Sequence, residues 1–188
     1  MRLSDLIGEI RDLYLDHFRR EIENLPADPS IRTIMEPILL GSDGEPKREG
    51  AFDIYSRPDI FIRAEGDTQR LISVDSVSMV NFDPIVFNWD ELEVQLRPFQ
   101  WDWVTISVRP PLDLSDVSTL KAWFEKWASI EVAENLAFSG AVHFMSDPEV
   151  IDGRMTLHID LGSSPSEAFE ELLDAIALSG ASSLVIGG

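Results

Sequence analysis

The hydrophobic period of residues 99–188 switches repeatedly between that of a strand and that of a helix, and this alternation limits the fold more than any other feature of the chain. Val104-Thr105-Ile106-Ser107-Val108 alternates apolar and polar residues, as a half-buried strand does. Val117, Leu120, Phe124 and Trp127 then recur at helical spacing and predict a helix over 116–128, beginning near Ser115 or Asp116. Two strand-like runs follow, near 138–145 and 154–161, separated by the turn-rich Asp147-Pro148-Glu149-Val150-Ile151-Asp152-Gly153. A second helix is expected over 165–178. Ser164-Pro165-Ser166-Glu167 reads as a capping box with proline at the first helical position, and Gly180 lies just past the end. Its buried stripe is Phe169, Leu172, Leu173 and Ile176, and Leu184-Val185-Ile186 supplies a last strand.

The resulting order, β-α-β-β-α-β over residues 103–187, is the ferredoxin-like plan, which fixes architecture and leaves chemistry open. In its usual strand order the first strand lies beside the third. Leu92-Glu93-Val94-Gln95-Leu96-Arg97 is the cleanest alternating strand upstream, and it is expected to form a hairpin with Val104–Val108. That pairing competes with the C-terminal strand for the same neighbour.

The N-terminal half opens with an amphipathic helix at about residues 5–24. Leu3, Leu6, Ile7, Ile10, Leu13, Tyr14, His17, Phe18 and Ile22 make its apolar stripe, Ser4 is the expected N-cap, and Leu25-Pro26 ends it. Residues 26–50 are rich in proline and glycine and read as loops around one apolar run, Ile31–Leu40, with 41–50 the most mobile segment. Residues 51–98 read as an antiparallel β-meander, with strands at Phe52–Tyr55, Ile60–Ala64, Leu71–Val80, Ile85–Phe87 and Leu92–Arg97. The expected fold class is therefore α+β. An N-terminal helix and meander (1–98) pack against a ferredoxin-like α/β sandwich (99–188), as one compact unit joined at the aromatic Pro98–Asp102 segment.

Charge excludes several functions. The net charge is −19, and residues 1–98 hold 11 Lys and Arg against 20 Asp and Glu, while 99–188 hold 4 against 14. Nucleic-acid binding needs cations to replace counterions around phosphate, so neither half is suited to it. The acidic helix face also disfavours an anionic membrane surface, and no run of about 18 apolar residues exists to span one. Without a signal-like N-terminus the expected compartment is the cytoplasm. The chain has no cysteine, hence no disulfide or thiolate site. Phosphate-loop, nucleophile-elbow, dinucleotide and EF-hand patterns are lacking, and no cofactor is expected.

The candidate site lies on the open face of the C-terminal sheet. If the 147–153 connection closes symmetrically, His143 stands opposite His158, and parity groups His143, Met145, Thr156, His158 and Asp160 on one face. Two imidazoles and a carboxylate are a metal-ligand set, and a histidine with a carboxylate supports acid–base chemistry. The neighbouring strand adds Trp103, Thr105, Ser107 and Arg109. His17, on the helix stripe, reads as a core residue.

Five tryptophans are present, and Trp101 and Trp103 share parity beside this face, where with Ser107 and Arg109 they form a candidate interaction surface. Three functions are compatible with these features. The first is a non-catalytic acidic intracellular protein that docks onto a basic protein, in the manner of an inhibitor, immunity or adaptor protein. The second is a small metal-dependent or acid–base hydrolase using His143, His158 and Asp160. The third is a structural or assembly subunit that forms a homo-oligomer through its tryptophans. Lack of catalytic motifs and the strong acidity favour binding over catalysis.

Overall fold

A computed structural model describes residues 2–25, 30–63, 69–113, 118–128 and 138–188. In chain order the first half comprises α1 (Leu3–Glu23), β1 (Arg32–Met35), β2 (Arg48–Glu49), β3 (Ile54–Tyr55), β4 (Ile60–Arg63), β5 (Gln69–Ile72), β6 (Ile85–Trp89) and β7 (Leu92–Leu96). The second half adds β8 (Val104–Arg109), α2 (Ser118–Ala128), β9 (Phe144–Met145), β10 (Glu149–Ile151), β11 (Arg154–Asp160), α3 (Ser166–Leu178) and β12 (Ser183–Gly187). The protein is mixed α+β, with helices packed on a mixed sheet.

The main sheet has the order β10-β11-β8-β12-β7-β6, and β9 pairs with the far end of β11 on the β10 side. β12 runs antiparallel to β8 and parallel to β7. The expected hairpin between Leu92–Arg97 and Val104–Val108 is therefore not formed, because the C-terminal strand lies between them. Its insertion buries Leu184 and Ile186 among neighbours on both sides. The sheet thus draws strands from both sides of Pro98.

Alternation in the sequence becomes alternation in burial. Leu92, Val94 and Leu96, Val104, Ile106 and Val108, Met155, Leu157 and Ile159, and Leu184 and Ile186 all face the core. Against them lie Leu120, Trp123 and Phe124 of α2 and Phe169, Leu172, Leu173 and Ile176 of α3. α1 contributes Leu6, Ile7, Ile10, Tyr14, Leu15 and Phe18, while Leu13 is exposed and His17 only half-buried. Burying such side chains stabilises the fold by roughly 1.5–3 kcal/mol each before entropy is charged against it.

Several local expectations are corrected. α1 starts at Leu3, one residue before Ser4, and Asp5 accepts a hydrogen bond from the Arg2 N–H at 3.2 Å. The supposed meander is divided. β1, β4 and β5 form a separate three-stranded antiparallel sheet, β2 and β3 pair with each other, and β6 and β7 join the main sheet. Leu71–Val80 is a strand only to Ile72. α3 begins at Ser166 with Pro165 at the N-cap position, and the buried Ser164 hydroxyl has no hydrogen-bond partner among the described residues. The start expected for α2 near Ser115, and Val117, lie outside the described residues.

The strand expected over 138–145 is confined to Phe144–Met145. Its upstream amides are used elsewhere. Ser163 Oγ accepts from the N–H groups of Gly140 (2.8 Å) and Ala141 (3.2 Å), and the Trp127 carbonyl accepts from Val142 (3.2 Å). The turn between β10 and β11 is only Asp152-Gly153, both with positive φ (51° and 68°), the signature of a type I′ hairpin turn. The resulting register places Met145 opposite Ile159 and Phe144 opposite Asp160. Ser146, not His143, exchanges hydrogen bonds with His158.

Candidate functional site

Four chain segments that are remote in sequence meet at one end of the sheet. β1 and β4 are antiparallel with Met35 opposite Ile60, and the Glu36 N–H continues their ladder by donating to the Asp59 carbonyl at 2.8 Å. That pairing sets the Glu36 and Asp59 side chains at the same sheet end. Asp160 closes β11, and the His143 N–H donates to its carbonyl at 3.0 Å. Glu36 adopts φ +45°, a conformation that non-glycine residues rarely hold without compensation. The compensation here is its carboxylate. One oxygen accepts from the Ser139 N–H and hydroxyl, both at 2.5 Å, and the other lies 2.6 Å from His143 Nε2.

His143 is entirely buried. Gly162 allows this, because a Cβ there would stand 2.5 Å from His143 Nε2 and 2.5 Å from the Ala141 carbonyl oxygen. The other ring nitrogen, Nδ1, lies 2.9 Å from Asp59 Oδ1 and 3.5 Å from Asp160 Oδ2. Neither contact is aligned as a hydrogen bond, so this buried nitrogen has no aligned partner among the described residues. Asp59 is fixed independently: Oδ2 accepts the Val74 N–H at 2.6 Å and Oδ1 the Tyr14 hydroxyl at 3.3 Å. Asp160 Oδ1 accepts the Gly162 N–H at 2.8 Å.

The cluster is electrostatically tense. Burial raises the Glu36 carboxyl, but hydrogen bonds and charge from His143 and the Ser139 contacts overcome it and hold the group at about 2. Burial opposes a charge on His143, yet Asp160, Asp59 and Glu36 together raise its pKa well above the ordinary value. Burial pushes Asp160 up to about 6 against the pull of His143. The buried Arg57 guanidinium donates to the Ala128 carbonyl (2.6 Å) and the Glu36 carbonyl (2.7 Å), both main-chain groups.

Asp59 and Asp160 open onto a cleft of about 530 Å³. Its lining also includes Asp75, Asp102, Trp103 and Phe144, so four acidic residues border one space in which, among the described residues, Arg57 is the one cationic residue. The 73–76 segment is held against the sheet by Asp102, which accepts from the Ser76 N–H (2.7 Å) and hydroxyl, and by Gln100 Nε2, which donates to the Ser76 carbonyl (3.1 Å).

The residues singled out in the sequence are divided by this geometry. His143 and Asp160 are brought together, with Asp59 as the third member of a set whose donor atoms lie within 4.8 Å of one another. His158 stays on the half-buried sheet face, its Nδ1 3.1 Å from Thr105 Oγ1 and its ring stacked on Trp103 with centroids 4.8 Å apart. Trp101 and Trp103 do not share a surface. Trp101 precedes β8, is 1% exposed, and donates from Nε1 to the Gly162 carbonyl at 2.9 Å, whereas Trp103 is 47% exposed. Ser107 accepts from Thr156 Oγ1 at 3.3 Å, and Arg109 reaches the Asp152 carbonyl at 3.2 Å.

Sequence reasoning missed Glu36 and Asp59. Each carries a usable signal: Glu36 interrupts the apolar run Ile34–Leu40, and Asp59 sits between Pro58 and the apolar Ile60-Phe61-Ile62. A carboxylate placed where a strand enters the core needs a buried partner. Among the described residues no helix is long and apolar enough to cross a membrane. Compared with protein-family models, curated protein sequences and solved structures, the chain has no match.

Proposed function

We propose that the chain is an acidic, non-catalytic binding protein that docks onto a basic protein and receives a lysine or arginine side chain in the cleft. The observation that carries this reading is the composition of the cleft wall: Asp59, Asp75, Asp102 and Asp160 with the exposed ring of Trp103. Carboxylates beside an aromatic face attract a guanidinium or ammonium group by ion pairing and cation–π contact together. The net charge of −19 would steer such a partner inward and repel nucleic acid and anionic membranes. A cytoplasmic location belongs to the same proposal.

The scaffold for this cleft we read as ferredoxin-like over residues 104–187. The support is the antiparallel order β12-β8-β11-β9, with α2 between β8 and β9 in the chain and α3 between β11 and β12.

Calorimetric titration of a hexa-arginine peptide at about 20 mM and about 150 mM salt tests the docking reading, because screening weakens an exposed ion pair over that range. Trp103→Ala leaves net charge unchanged, so it separates the cleft from general acidity. Salt-sensitive binding that weakens in Trp103→Ala supports the proposal, and equal affinity for the two proteins overturns it.

A further inference from the structure

We propose that Asp59, His143 and Asp160 form a binding site for a first-row divalent transition ion such as Zn²⁺, with Glu36 as the residue that orients the histidine. Four observations converge on it.

The first is donor spacing. An ion about 2.1 Å from each of two donors sets those donors about 3.0 Å apart at a right angle and about 3.4 Å apart at a tetrahedral angle. His143 Nδ1 lies 2.9 Å from Asp59 Oδ1 and 3.5 Å from Asp160 Oδ2, close to those separations, and the three donor atoms all lie within 4.8 Å of one another.

The second is the state of Nδ1 itself. It is buried, lies 2.9 Å from an Asp59 oxygen and 3.5 Å from an Asp160 oxygen, and has no aligned hydrogen bond among the described residues. A buried polar atom without an aligned partner is costly, and a metal ion satisfies it without requiring the N–H direction to match either oxygen. The Nδ1 proton then leaves to solvent as the ion binds.

The third is Glu36. Metal-binding imidazoles characteristically give their second nitrogen to a carboxylate, which fixes the tautomer and the ring plane. His143 Nε2 is 2.6 Å from Glu36 Oε1, and Glu36 is in turn held by Ser139 through its other oxygen. The strained Glu36 backbone and the glycine at 162 both serve to seat this ring.

The fourth is charge. Three carboxylates surround one imidazole, which as a cation balances only one of them. A divalent ion ligated by Asp59 and Asp160 replaces the Nδ1 proton, leaving the imidazole neutral, so two of the three carboxylates are then balanced instead of one. One nitrogen and two oxygen donors suit zinc, manganese or iron better than copper(I), which prefers thiolates. Asp160, 20% exposed in its side chain, places the site at the cleft floor, leaving the remaining coordination positions on the cleft side for water or a partner's donor atom. The site shares Asp59 and Asp160 with the proposed docking cleft, but Trp103 takes no part in it, so the Trp103→Ala peptide titration, run on chelator-treated protein, and the zinc test fail separately.

The experiment uses the full chain after chelator treatment, titrated with Zn²⁺ alone. Long-range ¹H–¹⁵N correlation spectra resolve the ring nitrogens of the three histidines, His17, His143 and His158. The expected result is that His143 Nδ1 moves to a metal-bound position at one equivalent while His17 and His158 stay in place. Asp160→Asn, which keeps the acceptor for the Gly162 N–H, should bind at least about tenfold more weakly by calorimetry, a loss of the size seen when groups around a metal are altered. His158→Ala should bind as wild type does. His143 signals unmoved at saturating zinc, or equal affinity in wild type and folded Asp160→Asn, would overturn the assignment. Should Asp160→Asn not fold, the wild-type spectrum decides alone.

Discussion

Substituting Gly162 by alanine probes the seating of His143 without touching a charged group. Two costs add. Gly162 has φ +53°, and an L-residue in the left-handed region costs roughly 1–2 kcal/mol. The new methyl would also lie 2.5 Å from His143 Nε2 and from the Ala141 carbonyl oxygen, and nearer still to Cδ2. Both neighbours are buried, so the imidazole must shift from Glu36 or the backbone must move, and overpacking of this kind costs roughly 1–3 kcal/mol. The expected total is about 2–5 kcal/mol. Gly153→Ala is the reference, since Gly153 has φ +68° and a Cβ there meets nothing within 4 Å. It carries the conformational cost alone. Urea unfolding of both variants and the wild type isolates the contact term as the difference between the two substitutions. If Gly162→Ala and Gly153→Ala lose stability equally, within about 0.5 kcal/mol, the close approach of the imidazole is not what requires a glycine there.

Three further outcomes are expected. Glu36, held at about 2 against an ordinary 4.5, contributes stability that is present above 4.5 and lost as pH falls towards 2. The gap is worth about 3 kcal/mol, so in chelator-treated protein wild type should lose stability more steeply than Glu36→Gln over that window, and parallel urea-unfolding curves would refute it. Asp102→Ala leaves the Ser76 N–H and hydroxyl without their acceptor, and hydrogen bonds to a charged group are worth about 1.5–3 kcal/mol. The 73–76 segment should then be cut faster by protease, and an unchanged cleavage rate would show that Asp102 does not hold it. Filter binding at low ionic strength, where attraction is least screened, should give no submicromolar affinity for DNA or RNA, and such affinity would refute the charge argument.

Much of the secondary structure was legible because burial has a local period. Val104–Val108, Leu92–Leu96 and 154–160 alternate in sequence and alternate in burial, and the stripes of α1 and α3 pack where their spacing directs them. Local signals failed where distant groups decided the outcome. The capping box at Ser164 is not made. The Ser164 and Ser163 carbonyls are instead taken by Arg11 of α1, at 2.6 and 3.4 Å, which orients the chain entering α3. The β10–β11 hairpin closes on two residues rather than seven, and that changes which side chain faces His158.

The candidate site shows the same division. Three histidines against 34 acidic residues, and turn signals that set His143 and Asp160 on either side of one hairpin, were readable from the residues alone. Only the tertiary structure joined His143 to Glu36, 107 residues away, and to Asp59. Hydrophobic periodicity reports which face of an element is buried. It carries no information on which loop ends converge, because that depends on strand pairing between β1 and β4 and on β12 entering between β7 and β8. A buried carboxylate is stable only when those pairings deliver its partner, so the cluster is a property of the assembled chain rather than of any segment within it.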